Sequence, residues 1–190
     1  MNQRRDANAA LFVMLGQTAE RTLLRHDKIA AANPLRVSET VDLAVLLPAE
    51  VRASERAAEA YKLFFVFESY LRDLVVDVLT DTTGTNWWDK LPQDVRDDVE
   101  KLEETEELKS WMALGSRDKS RLMTYPQLLR VIDHCWKEYF SELIRDKALV
   151  QEARLIGHLR NTICHMTEIS EEEIERVRQT MRDWFRIVAP

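Results

Sequence analysis

The stretch ERAAEAYKLFFVFESYLRDLVVDVL, residues 55–79, limits the fold more than any other part of the chain. Its apolar side chains recur every three or four residues, and no proline or glycine interrupts them. Successive residues of an α-helix turn by about 100°, so Ala60, Phe64, Phe67, Leu71, Val75 and Val78 fall on one stripe. The positions beside that stripe are apolar too, so most of the circumference must be covered by other elements. The rest of the 190 residues supplies helices to cover it. Helical periodicity continues almost throughout, and no alternating strand pattern appears.

The spacing predicts helices over 4–31, 49–80, 93–109, 126–144, 147–165 and 171–187, with 33–47 irregular or a short helix. Pro34, Pro48, Pro92 and Pro126 each precede or open a periodic stretch, where a first helical turn tolerates the missing N–H. Residues 124–127 and 170–173 have the spacing of capping boxes. TDTTGTNWW (80–88) and ALGSRDKS (113–120) read as loops. The expected fold class is all-α. We expect an antiparallel helical bundle over 51–190, with 1–50 as an added N-terminal helical arm.

Composition removes several functions. The four glycines, Gly16, Gly84, Gly115 and Gly157, are dispersed, so no glycine-rich phosphate cradle or dinucleotide turn exists. No cofactor is expected. Cys135 and Cys164 are too few and too far apart for a zinc knuckle or disulfide framework, which fits a reducing cytoplasm. No apolar run reaches the roughly 18 residues of a membrane span, and the opening segment reads as an amphipathic helix.

The net charge of −6 disfavours a broadly basic nucleic-acid surface. Its distribution matters more. Residues 93–108 carry eight acids against two bases, which equals the whole excess. That acidic run reads as a solvated helix face, or else a partner surface. From Arg154 to Met166 there is no acid, while Arg154, His158, Arg160 and His165 are present. A local anion-binding patch is allowed there, with Arg154 and His158 as candidate substrate-binding residues.

Two charged residues fall on core faces. Glu68 lies inside the stripe of the central helix. In the helix near 147–165, Leu149, Ala153, Ile156, Leu159 and Ile163 define the buried side, and Arg160 lies within it. Charges on core faces are rarely left unpaired, so Glu68 and Arg160 are expected to meet, unless either snorkels out at a helix edge. The same projection puts Arg154, His158, Asn161 and His165 on the opposite, polar face. A metal site from His134, Cys135, His158 and His165 lacks any HxxH or HExxH spacing, and no metal is expected. The five tryptophans, including the adjacent Trp87 and Trp88, are better explained by core or dimer packing than by base stacking.

The segment LRNTICH (159–165) has the form Arg-polar-x-x-x-His near the end of a late helix. With FFVFESYLRDLVVDVL, NWWDKLPQDV, YPQLLRVIDHCWKEYFSEL and EISEEEIERV around it, the chain resembles the HEPN superfamily over residues 57–187. These segments look like the subtype found in transcript-surveillance nucleases and bacterial stand-alone proteins. The resemblance implies metal-independent endoribonuclease activity in which Arg160 and His165 form the site and Asn161 assists; the helix projection makes Glu68, through Arg160, the expected structural support. The resemblance also implies RNA as substrate and a homodimer with two motifs facing across a cleft. A defence or toxin-type setting, with an inhibitor or antitoxin protein as partner, follows from the same likeness.

An ideal helix sets Arg160 and His165 about 140° apart. Either the helix ends before His165, or Arg160 holds the motif from behind through Glu68, or two subunits share each cleft. Cys164 reads as a small packing residue. A catalytically silent HEPN-like binding or dimerisation module is the main alternative, and a purely structural helical protein a further one.

Overall fold

A computed structural model describes residues 12–19, 34–109 and 118–188. The secondary structure there is helical: α1 (12–19), α2 (Leu43–Leu46), α3 (Pro48–Thr83), α4 (Gln93–Leu108), α5 (Lys119–Leu122), α6 (Tyr125–His134), α7 (Ala148–Leu155), α8 (Gly157–Cys164) and α9 (Glu171–Val188). Among the described residues the one β feature is an isolated bridge between Arg36 and Asp42. The expected all-α fold is what is found. Two compact units divide the chain, Met1–Arg56 and Ala57–Pro190. Most of the helix expected over 4–31, the start of the loop expected at 113–120, and Trp111 lie outside the described residues.

In the first unit, Asp42 organises the short helix left open by the periodicity. Its Oδ1 accepts from the N–H of Ala44 at 2.9 Å and of Leu35 at 3.1 Å, capping α2.

Helix α3 buries one stripe but not the larger part of its circumference expected from its apolar flanks: Tyr61, Phe65 and Val66 are exposed. It runs without a breaker until Gly84, whose φ of +70° is the left-handed conformation that stops helices at little cost in glycine. Phe64, Phe67, Leu71 and Val75 are buried as expected, but Leu79 takes the next core position and Val78 is half-buried. Phe67 packs its ring 5.7 Å from Trp184 of α9 and 6.1 Å from Tyr125 of α6. Residues 84–90 form a 3₁₀ helix rather than a loop. Trp87 and Trp88 sit edge to face at 5.7 Å and pack against the core, which gives this segment a reason to be ordered.

The capping box at 124–127 forms in full, and at 170–173 its serine half forms. The Thr124 N–H donates to Gln127 Oε1 at 2.8 Å, and the Glu173 N–H donates to Ser170 Oγ at 3.3 Å.

Two expected helices are interrupted. The one over 126–144 stops at His134 and continues as a π-helical turn, Trp136–Phe140. A π turn adds a residue, and it places Phe140 five positions after Cys135 in the core, leaving Tyr139 half-buried. The helix over 147–165 breaks at Ile156, giving α7 and α8. The buried Tyr125 hydroxyl donates to the Ala153 carbonyl at 2.7 Å, the acceptor a continuous helix would offer to the Gly157 N–H. The Tyr125 ring packs beside Gly157 at a distance that a Cβ would meet as ordinary contact.

Candidate functional site

Helices α3 and α8 meet through charge. Arg160 Nε donates to Glu68 Oε2 at 3.2 Å, the contact expected from two charged residues on core faces. The other carboxylate oxygen of Glu68 accepts from Arg72 Nη2 at 3.1 Å. Arg72 in turn donates from Nε to the Ser120 carbonyl at 2.9 Å and from Nη2 to the Met123 carbonyl at 3.4 Å. One carboxylate thus bridges two guanidiniums and ties α8, α3 and the α5 segment together. The nearby Tyr125 phenol is pushed well above its ordinary range, first by burial and then by the negative charge of Glu68.

A pocket of about 220 Å³ opens over this bridge. Tyr61, Phe64, Phe65, Glu68, Ser69 and Arg72 line it from α3, and Arg160, Ile163 and Cys164 from α8. Arg160 uses Nε for Glu68 and shows no hydrogen bond from its two Nη groups to any described residue. Cys164 is exposed and lines the pocket rather than filling the core. Its position, one residue past the buried Ile163, turns it outward. Tyr61, Phe65, Ser69 and Arg72 were not among the residues expected at a site. A signal existed for Arg72, one helical turn after Glu68, and for two aromatics displaced from the Phe64 and Phe67 stripe.

The remaining motif residues face elsewhere. Helix α8 ends at Cys164, and His165 is its C-cap with φ −87° and ψ 18°. The His165 N–H reaches back to the carbonyls of Asn161 at 3.0 Å and Thr162 at 3.2 Å. Met166 then turns left-handed with φ +59°, and the Thr167 N–H closes on the Thr162 carbonyl at 3.2 Å, a helix stop of Schellman type. His158, Asn161 and His165 are exposed. Two of the three geometric alternatives therefore hold together: the helix ends before His165, and Glu68 holds Arg160 from behind.

Arg154 departs from the exposed stripe. It is half-buried, and its Nη2 donates to Asp133 Oδ2 at 3.0 Å. Lys147 approaches Asp133 Oδ1 at 2.5 Å. The Lys147 hydrogen bond, joined by Arg154, holds the Asp133 carboxyl below the usual range, against an opposing push from burial. The guanidinium expected to meet substrate is thus already tied to a carboxylate.

Among the described residues, no three His, Cys, Asp or Glu side chains are grouped so as to hold a metal ion. No helix there is long and apolar enough to cross a membrane. Comparison with family patterns matches residues 62–189 to the family described as Swt1-like HEPN, well over half of the chain. Searches of curated proteins and of solved structures found no match.

Proposed function

Since the chain belongs to the Swt1-like HEPN family, whose domains do RNase-like or RNA-related work, we propose that it is a metal-independent endoribonuclease acting through Arg160, Asn161 and His165. The observation that carries this reading is the end of α8. His165 caps the helix in the open, Asn161 is exposed one turn earlier, and Arg160 is held by Glu68 with its Nη groups unspent.

RNA brings its own nucleophile. The 2′-hydroxyl attacks the adjacent phosphorus, the bond to the 5′-oxygen breaks, and the products are a 2′,3′-cyclic phosphate and a 5′-hydroxyl. An imidazole can take the 2′-hydroxyl proton or deliver one to the 5′-oxygen at neutral pH, and this is the role assigned to His165. A guanidinium stabilises charge developing on the phosphoryl oxygens, the role of Arg160. Asn161 orients the imidazole or binds a phosphate oxygen. Within one copy, Arg160 turns to the groove while His165 turns to solvent. Two copies facing each other across a cleft would bring an arginine and a histidine to one phosphate, and a homodimer is part of the proposal. His158 adds a donor on the same exposed face; Arg154 contributes less, being held by Asp133. A cytoplasmic defence or toxin-type ribonuclease restrained by an inhibitor protein is the setting we assign, on family kinship alone.

The test is cleavage of a mixed RNA panel in excess EDTA, with His165→Ala and Arg160→Ala beside the wild type, each variant first checked for helicity. Cleavage leaving cyclic phosphate ends, and falling about 10²-fold or more in folded His165→Ala, is the expected result. A well-folded, dimeric wild type that cuts nothing refutes the enzyme reading. It would favour a silent RNA-binding or dimerisation module, to which the separation of Arg160 from His165 within one copy also speaks.

A further inference from the structure

The pocket between α3 and α8 has a lining that phosphoryl-transfer chemistry does not call for. We propose that it is a subsite for a single unpaired nucleobase beside the scissile phosphate, an assignment that deepens the reading above and takes its RNA setting from it. Tyr61 and Phe65 lie one turn apart on α3, 53% and 61% exposed, with ring centroids 6.1 Å apart and planes inclined by 33°. A lone exposed aromatic needs no explanation. Two lining the same pocket as Glu68, Ser69, Arg72 and Arg160 set exposed rings beside a polar cluster.

The polar part of the lining complements a base edge. Arg160 offers two Nη groups as donors with no partner among the described residues. Glu68 is acceptor-only, and each of its oxygens takes one arginine hydrogen bond and keeps a lone pair. The Ser69 hydroxyl can act either way. A nucleobase has two apolar faces and an edge carrying both donors and acceptors, which matches aromatic rings lining one pocket with a mixed polar cluster. Size narrows the ligand further. About 220 Å³ is less than the roughly 300–1,000 Å³ of sites for drug-sized molecules, so the pocket takes one ring system rather than a whole nucleotide. A base within a duplex is stacked and paired, so only an unpaired base can enter.

Arg160 joins the two readings. Its Nε is fixed by Glu68 while its outer nitrogens stand where base edge and phosphate would adjoin, so a seated base sets the register of the phosphate beside it.

The experiment is calorimetric titration of the full chain with the four 5′-mononucleotides, their nucleosides, and inorganic phosphate. None of these has a phosphodiester to cut, so the result does not depend on turnover. Nucleotides and nucleosides should bind wild type, and inorganic phosphate should compete poorly. Phe65→Ala and Tyr61→Ala should each weaken binding about tenfold, the scale of one base–aromatic stack, while Phe65→Trp restores it. Both positions are exposed, so these variants should fold. Any of four results overturns the assignment: no nucleoside binding, binding indifferent to Tyr61 and Phe65, inorganic phosphate competing as well as nucleotide, or Phe65→Ala turning a dimer into a monomer. The last would show the aromatics to be covered by a second copy. If wild type cuts RNA and Phe65→Ala cuts every sequence equally well, the subsite fails while the nuclease stands. Nucleoside binding without cleavage gives the reverse.

Discussion

Replacing Glu68 by Gln removes one negative charge from between two guanidiniums and leaves a side chain of nearly the same shape. The three partners are only 15–27% exposed, so the pair is closer to buried than to surface. Breaking a fully buried pair costs about 3–5 kcal/mol, and an exposed one about 0–1 kcal/mol. Arg72 keeps the Ser120 and Met123 carbonyls, whereas Arg160 loses its ion-pair partner. The loss therefore falls mainly on one contact, and we expect about 2 kcal/mol in total. For a chain of this size that corresponds to a Tm lower by roughly 4–8 °C. The assay is urea unfolding of wild type, Glu68→Gln, Arg160→Gln and the double variant. Because each single change breaks the same contact, the double should cost about 1–2 kcal/mol less than the sum of the two singles. Costs that add to within about 0.5 kcal/mol would refute the argument that Glu68 anchors Arg160. RNA cleavage by Glu68→Gln should fall as well, since an unanchored guanidinium meets phosphate less often in the correct orientation.

Tyr125→Phe removes the buried donor to the Ala153 carbonyl and should cost about 1–2 kcal/mol in denaturant unfolding; an unchanged midpoint would mean that the carbonyl re-pairs and that the hydroxyl does not account for the break at Ile156. Phe67→Ala, in the fully buried junction with Trp184 and Tyr125, should cost about 3–5 kcal/mol, and a loss under 1 kcal/mol would place that junction outside the true core. Asp133 links stability to pH. Its carboxyl titrates below the unfolded value, so its contribution is present above about pH 4 and fades as pH falls through the lowered folded value. The Tm gap between wild type and Asp133→Asn should narrow between about pH 5 and pH 2, and a gap constant across that range would dissociate Asp133 from the effect.

The charged residues on apolar stripes were the most legible part of the site. Glu68 and Arg160 each stood where a lone charge is costly, and that cost is a property of periodicity alone, readable before any fold is known. The capping boxes at 124–127 and 170–173 were legible for a similar reason: a cap is a contact across three residues. The breaks at Ile156 and after His134 were not. Only the single Gly157 marks the break at Ile156 in the sequence, and the Tyr125 hydroxyl that takes the Ala153 carbonyl comes from 28 positions away. The same holds for Arg154. Its place on the polar stripe suggested a ligand contact, but Asp133, distant in sequence and near in space, had already engaged it.

Local periodicity thus determined that the chain is all-α, which stripe of α3 is buried, and that a carboxylate and a guanidinium must meet. The sequence also marked the acid-free stretch from Arg154 to Met166. Tertiary structure decided where α8 begins, that Arg160 turns into a groove while His165 faces out, and that Tyr61 and Phe65 flank a pocket above the ion bridge. Helical pattern reports which face is apolar, over a range of a few residues. Where a hydroxyl, a carboxylate or a pair of rings ends up is set by partners brought together only when the helices pack.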